Sequence, residues 1–109
     1  MEVQHYTCNS SFPYEVQDIL RDKGFFVDPL HEVHPHTNRI HGAFSFRITR
    51  RSDTLRVLGV EDKGEFHFHM VEDPSDGVIS TNVSSAFFNE VEEVMLQNGA
   101  DLGEITELD

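Results

Sequence analysis

The chain has 109 residues, a formal net charge of −12 and 38% hydrophobic residues, with nine phenylalanines among them. This length suits a single domain, and the aromatic content excludes a chain that is disordered throughout. The excess negative charge disfavours nucleic acid and anionic membranes as partners, because both are negatively charged themselves.

The first residues show no feature of secretion. Residues 1–11 contain neither the basic segment nor the apolar run of a signal peptide, and no stretch approaches the roughly 18 apolar residues of a membrane span. Cys8 is the only cysteine, so no intramolecular disulfide can form, and we interpret it as a buried, inert residue rather than a catalytic thiol. We therefore expect a soluble, cytoplasmic protein.

Residues 12–23 are predicted to form the first amphipathic helix. Its apolar residues recur at the spacing of one helical face, and they are Phe12, Val16, Ile19 and Leu20. Ser10 or Ser11 is expected to cap its start, and Gly24 to end it in a left-handed conformation.

The middle of the chain is predicted to be an antiparallel meander. Residues 44–49 alternate apolar with polar side chains, and in residues 66–71 Phe66, Phe68 and Met70 alternate with His67, His69 and Val71. Residues 55–60 are predicted to form a strand between two polar turns. Residues 25–27 and 78–81 are possible further strands. Two prolines make residues 28–38 irregular or at best an edge strand.

Residues 85–98 repeat the helical pattern with Phe87, Val91, Val94 and Met95, and Gly99 is expected to end this second helix. An acidic tail, residues 100–109, follows. It is either disordered, or Leu102, Ile105 and Leu108 pair with a sheet edge or with a partner.

This order of elements favours an α+β fold in two layers. We expect an antiparallel sheet of three to five strands with both helices packed on one face, and a single domain over residues 1–99. The opposite face is expected to be solvated, to bind a ligand or to form a homodimer interface. It would carry Ser45, Arg47, Thr49, Glu65, His67 and His69.

Seven histidines are an unusual number for this length. His67 and His69 are two residues apart on a predicted strand, so both imidazoles would lie on one face with Glu65, as in some metal sites. A second cluster comprises His31, His34, His36 and His41. The hypothesis is a divalent metal site with ligands from His67, His69, Glu65, His34 and His36. The alternative interpretation is a solvated polar sheet face.

Catalysis has little support in the sequence. It contains no nucleophile elbow, no phosphate-binding glycine-rich loop and no dinucleotide fingerprint, so we identify no catalytic residue and no cofactor beyond that metal. Four arginines cluster around one hairpin, and we expect them to pair with the protein's own acids rather than with phosphate. They are Arg47, Arg50, Arg51 and Arg56.

The net negative charge lies entirely in the second half of the chain. Residues 1–60 contain seven acids and seven bases, whereas residues 61–109 contain thirteen acids and one base. The leading hypothesis is a small non-enzymatic binding protein of inhibitor or immunity type that docks on a basic partner. Its candidate contact residues are Glu90, Glu92, Glu93, Asp101, Glu104 and Glu107. The alternative is a metal- or small-ligand-binding protein that uses the sheet histidines.

Overall fold

The computed structural model describes residues 2–33, 43–62, 65–72 and 84–107. Within these ranges the chain forms two helices and seven strands. In chain order they are β1 (Glu2–Cys8), α1 (Phe12–Asp22), β2 (Phe26–Val27), β3 (His31–Val33), β4 (Ala43–Arg50), β5 (Asp53–Asp62), β6 (Glu65–Glu72), α2 (Ser85–Gln97) and β7 (Asp101–Glu107).

All strands belong to one antiparallel sheet with the spatial order β2-β4-β5-β6-β1-β7, and β3 also pairs with β4. The predicted α+β class and the meander of β4, β5 and β6 are therefore confirmed, with more strands than the predicted three to five. β3 fits the expectation of an edge strand, and the possible strand at residues 78–81 lies outside the described residues.

Helix α1 begins one residue after Ser11, but the serine side chain does not cap it. Instead, Asn9 Oδ1 accepts hydrogen bonds from the backbone N–H of Ser11 and Phe12, at 3.1 and 3.0 Å. The predicted serine cap is thus wrong: the Ser11 hydroxyl donates to Asn9 Oδ1 at 2.8 Å, and the side chain of Asn9 rather than that of a serine accepts from the first amides. Gly24 follows the helix with φ of 93°, as predicted.

Helix α2 has the predicted boundaries to within one residue. Ser84 Oγ accepts from the backbone N–H of Phe87 at 3.2 Å, the usual arrangement of an N-cap. Gly99 has φ of 118° and turns the chain from α2 into β7.

Both helices pack on the same face of the sheet, which we call the inner face. Its core joins buried residues of α1 and α2 to alternate residues of the central strands. The ring of Phe68 on β6 stacks on Tyr6 and on Phe12, with centroid distances of 5.0 and 5.6 Å. The predicted core residues Phe44, Phe46, Ile48, Phe68 and Met70 are buried, and Phe66 is partly buried against the same core.

Strand β7 lies in the stretch that the sequence analysis described as an acidic tail. It pairs with β1, so of the alternatives for the tail, pairing with a sheet edge is the one observed for these residues. The register shifts by one residue between Gln4 and Tyr6, which places Gly103 and Glu104 opposite His5 as a β-bulge. Gln4 Nε2 donates to the carbonyls of Gly103 and His5 at 2.9 and 2.8 Å and holds the bulge.

No helix of the described residues is both long and apolar enough to cross a membrane.

Candidate functional site

The sheet face opposite the helices, which we call the outer face, carries the predicted histidines. His67 and His69 both lie on it, partly buried, with Glu65 at the exposed start of the strand. His67 Nε2 lies 3.7 Å from Glu65 Oε2. Of the predicted metal ligands, Glu65 and His67 are therefore neighbours on this face.

A third histidine, His5 on β1, joins this face. His5 is directly opposite His69 in the register of β1 and β6, and the two imidazole centroids are 5.3 Å apart in an edge-to-face arrangement. On the other side of His5, its Nε2 lies 2.6 Å from Thr106 Oγ1 of β7. No pattern in the sequence indicated His5 as a site residue, because its position beside His69 depends on pairing between strands that are far apart in the chain.

The environment of His69 favours its neutral form. Burial lowers the pKa of His69 below its ordinary value, and the proximity of His5 lowers it further. Metal ions bind the neutral form of imidazole, because one of its ring nitrogens retains a lone pair.

The predicted metal ligands are only partly described. His34 and His36 lie outside the described residues, and the described ranges contain no group of three or more His, Cys, Asp or Glu side chains that could hold a metal ion. The five-residue metal site therefore remains a prediction. What the structure brings together is His5 and His69, with His67 on the same face.

The six predicted partner-binding acids fall into two groups. Glu90, Glu92 and Glu93 lie on α2, and the first two have contacts inside the protein. Arg50 holds Glu90 with two hydrogen bonds, one of them 3.0 Å from Nη1 to Oε1, and this pairing lowers the pKa of Glu90. Tyr6 donates its hydroxyl hydrogen bond to Glu92.

The second group lies on β7. Asp101, Glu104 and Glu107 are all exposed, and no base occurs in this strand. Between them Leu102 and Ile105 are each 61% exposed, among the few large apolar side chains that the described residues leave in solvent. We call these five residues the β7 patch.

The two apolar side chains of the β7 patch lie on one side of the sheet. Leu102 pairs with Tyr6 and Ile105 pairs with Gln4, so both share the inner face with Tyr6. Their spacing of three residues, rather than two, follows from the bulge at Gly103 and Glu104. Leu102 and Ile105 therefore form an apolar pair that the helices leave open.

The arginines near the hairpin contact the protein's own acids, as predicted for Arg47 and Arg50. Arg47 Nε donates to Asp28 Oδ2 at 2.7 Å, and the Arg50 guanidinium lies 4.3 Å from the ring centroid of Phe25. An open cavity of about 300 Å³ lies beside Arg47. It is lined by Asp28, Pro29, Ser45, Phe46, Arg47 and Arg56.

Cys8 is buried on the inner face, and burial raises the pKa of its thiol to about 12. A thiol that stays protonated at neutral pH is a poor nucleophile. This environment agrees with the interpretation of Cys8 as a core residue.

Comparison with protein-family models, curated protein sequences and solved structures finds no significant match to this chain.

Proposed function

We propose that this chain is a small acidic binding protein that pairs an extended segment of a basic protein partner with the free edge of β7. The observation that carries the proposal is the β7 patch, which combines two exposed apolar side chains with three exposed acids on an edge strand. Such binding would correspond to the inhibitor or immunity-type function expected from the charge distribution.

The position of β7 supports strand addition. It is the last strand of the sheet order and pairs with β1 on one side, and among the described residues no strand pairs with its other side. Half of its backbone N–H and C=O groups therefore point away from the sheet. An extended peptide can satisfy them and continue the ladder.

Leu102 and Ile105 would supply the apolar part of the contact. Full burial of a side chain of this size contributes roughly 1.5–3 kcal/mol. Each is 61% exposed in the isolated chain, so a partner has substantial area left to cover. Since both lie on the inner side of β7, the contact would extend toward α2.

The charge of the β7 patch indicates the chemistry of the partner. Asp101, Glu104 and Glu107 would attract lysine and arginine side chains and steer them to the edge. A second copy of β7 would pair poorly with this free edge, because antiparallel pairing would bring acids opposite acids. A basic segment is therefore favoured over self-association through this edge.

The internal contacts of α2 refine the set of candidate acids. Glu90 pairs with Arg50 and Glu92 with Tyr6, so both have structural roles. Glu93 is exposed on α2 and also accepts a hydrogen bond from Gln97 Nε2 at 3.1 Å. We assign the electrostatic steering to the three acids of β7 because they are exposed on the edge strand beside Leu102 and Ile105. A homodimer through the outer face and a cytoplasmic location remain predictions.

The experiment measures binding of a defined probe, a short soluble peptide in which lysine alternates with valine, by calorimetry at low and high salt. An apolar variant, Leu102→Ser with Ile105→Ser, should weaken binding about tenfold or more by removing the anchors. A charge variant should bind more weakly and lose most of the salt dependence. It combines Asp101→Asn, Glu104→Gln and Glu107→Gln.

A control variant removes the same number of acids elsewhere, at Glu15, Asp22 and Glu72. These residues are exposed on α1 and β6. The control variant should bind nearly as well as the wild type if binding depends on the acids of β7 in particular. It should bind as weakly as the charge variant if binding depends only on the net charge of the protein. Equal binding by the wild type and the apolar variant would reject strand addition at β7.

A second candidate function is ligand binding on the outer face, which the approach of His5 to His69 favours. It corresponds to the alternative of a metal- or small-ligand-binding protein.

A further inference from the structure

We propose that His5 and His69 form a two-imidazole site for a divalent first-row transition metal ion at the junction of β1 and β6. This inference does not rest on the β7 patch, and either can hold without the other.

The spacing of the two rings fits one shared metal ion. With metal–nitrogen bonds of about 2.1 Å and tetrahedral angles, two imidazoles on a common ion have ring centres about 5 Å apart. The centroids of His5 and His69 are 5.3 Å apart. This spacing is compatible with one nitrogen of each ring binding the same ion.

The pairing geometry explains why these two histidines are better placed than His67 and His69. Residues directly opposite each other on antiparallel strands have Cβ atoms about 5 Å apart. Residues two apart along one strand are separated by about 7 Å. In addition, His67 is turned toward Glu65, with Nε2 to Oε2 at 3.7 Å. The sequence pattern His-x-His therefore identified one ligand, and the second comes from β1.

Thr106 would orient one of the ligands. Its Oγ1 lies 2.6 Å from Nε2 of His5, which leaves Nδ1 as the nitrogen available to a metal ion. Metal-bound histidines usually hold their other ring nitrogen in such a hydrogen bond, because this fixes the tautomer and the ring plane. Thr106 is therefore a positioning residue on a third strand.

The donor set selects the metal. Imidazole ligands suit Cu²⁺, Ni²⁺ and Zn²⁺, whereas Mg²⁺ and Ca²⁺ require oxygen ligands. The described residues place no third His, Cys, Asp or Glu in a metal-binding group with this pair. Two protein nitrogens would therefore hold the ion, and water or a small ligand would occupy the remaining positions.

The test is titration of the full chain with Cu²⁺ alone, followed by calorimetry and by electron paramagnetic resonance. We expect one ion per chain and hyperfine structure from two nitrogens. His5→Ala and His69→Ala should each weaken binding at least tenfold. The matched control His67→Ala, on the same face, should change the affinity less than about threefold.

Two further variants keep the test decisive. Thr106→Val removes only the orienting hydroxyl and should weaken binding about tenfold, in the range usual for such outer partners. A variant with asparagine at His31, His34, His36 and His41 should keep full binding. Circular dichroism of each metal-free variant checks that the fold is retained.

The proposal would be overturned by any of three results. One is the absence of Cu²⁺ binding by the folded wild type. Another is an equal loss in His67→Ala and His5→Ala. The third is loss of binding in the variant of His31, His34, His36 and His41, which would place the ion at those histidines. None of these results affects the peptide binding expected at the β7 patch.

Discussion

The hydroxyl of Tyr6 on β1 donates a hydrogen bond to the carboxylate of Glu92 on α2. Tyr6 is completely buried and also stacks on Phe68, so this contact ties α2 to β1, the strand next to the edge strand β7. A glutamate that the charge pattern suggests as a partner contact thus serves the fold. Glu92 is therefore a structural residue of α2, whereas the candidate acids of β7 are exposed on an edge strand.

Replacement of Tyr6 by phenylalanine should test this structural role. Tyr6→Phe retains the ring but leaves the partly buried Glu92 without its donor, so the free energy of unfolding should fall by about 1–3 kcal/mol. Urea denaturation measures the change. Tyr14→Phe is the matched control, because Tyr14 is exposed, and it should be nearly neutral. Equal effects of the two substitutions would contradict a structural Tyr6–Glu92 contact.

The same tyrosine should make the fold sensitive to alkali. Burial raises the pKa of Tyr6 above its ordinary value of 10.0, and the neighbouring Glu92 raises it further. Above about pH 10 the unfolded chain releases a proton that the folded chain retains, so the free energy of unfolding falls as pH rises.

The measurement is tyrosinate absorbance in a Tyr14→Phe background, where Tyr6 is the only remaining tyrosine. Its ionisation should coincide with the loss of far-UV circular dichroism. Ionisation of Tyr6 near pH 10 in a chain that stays folded would contradict its burial and its hydrogen bond to Glu92.

The thiol of Cys8 should react with a disulfide reagent only when the chain unfolds. Its pKa of about 12 leaves very little thiolate at pH 8, and the side chain is buried. Ellman's reagent should therefore react at least about a hundredfold more slowly with the folded chain than with the chain in urea. Comparable rates in the two states would place Cys8 at the surface.

Gly59 on β5 is required by the ring of Phe44, its direct partner on β4. A Cβ atom added at Gly59 would lie 2.2 Å from ring atoms of Phe44, so Gly59→Ala should destabilise the fold by about 3 kcal/mol. The double variant with Phe44→Leu should lose much less stability than the sum of the single variants. The control is Gly59→Ala combined with Phe46→Leu, in which the losses of stability should simply add. Urea denaturation measures all of these variants.

Local patterns in the sequence were sufficient for the helices and the meander. Phe12, Val16 and Leu20 define one helical face, Gly24 and Gly99 adopt the expected positive φ, and β4 alternates cleanly. Each of these signals is contained within about a dozen residues. The fold class therefore followed from periodicity alone.

The strands at the ends of the chain did not show such signals. β1 buries Gln4 partly and Tyr6 fully on its inner face and has His5 and Thr7 on the other, so neither face is simply apolar. In β7 the bulge places Leu102 and Ile105 on one side with a spacing of three, which breaks the period of two. The His5–His69 pair was missed for the same reason, because it exists only once β1 pairs with β6.

Mapping of the backbone amides would show whether β7 accepts a basic extended segment. Backbone ¹⁵N resonances of the full chain would be followed during titration with the lysine–valine peptide, alongside hydrogen exchange. We predict that shifts and new exchange protection concentrate in residues 101–107 and extend to α2, and that Leu102→Ser with Ile105→Ser greatly reduces both at the same peptide concentration. Shifts confined to the outer face or to β2, with β7 unchanged, would contradict this prediction.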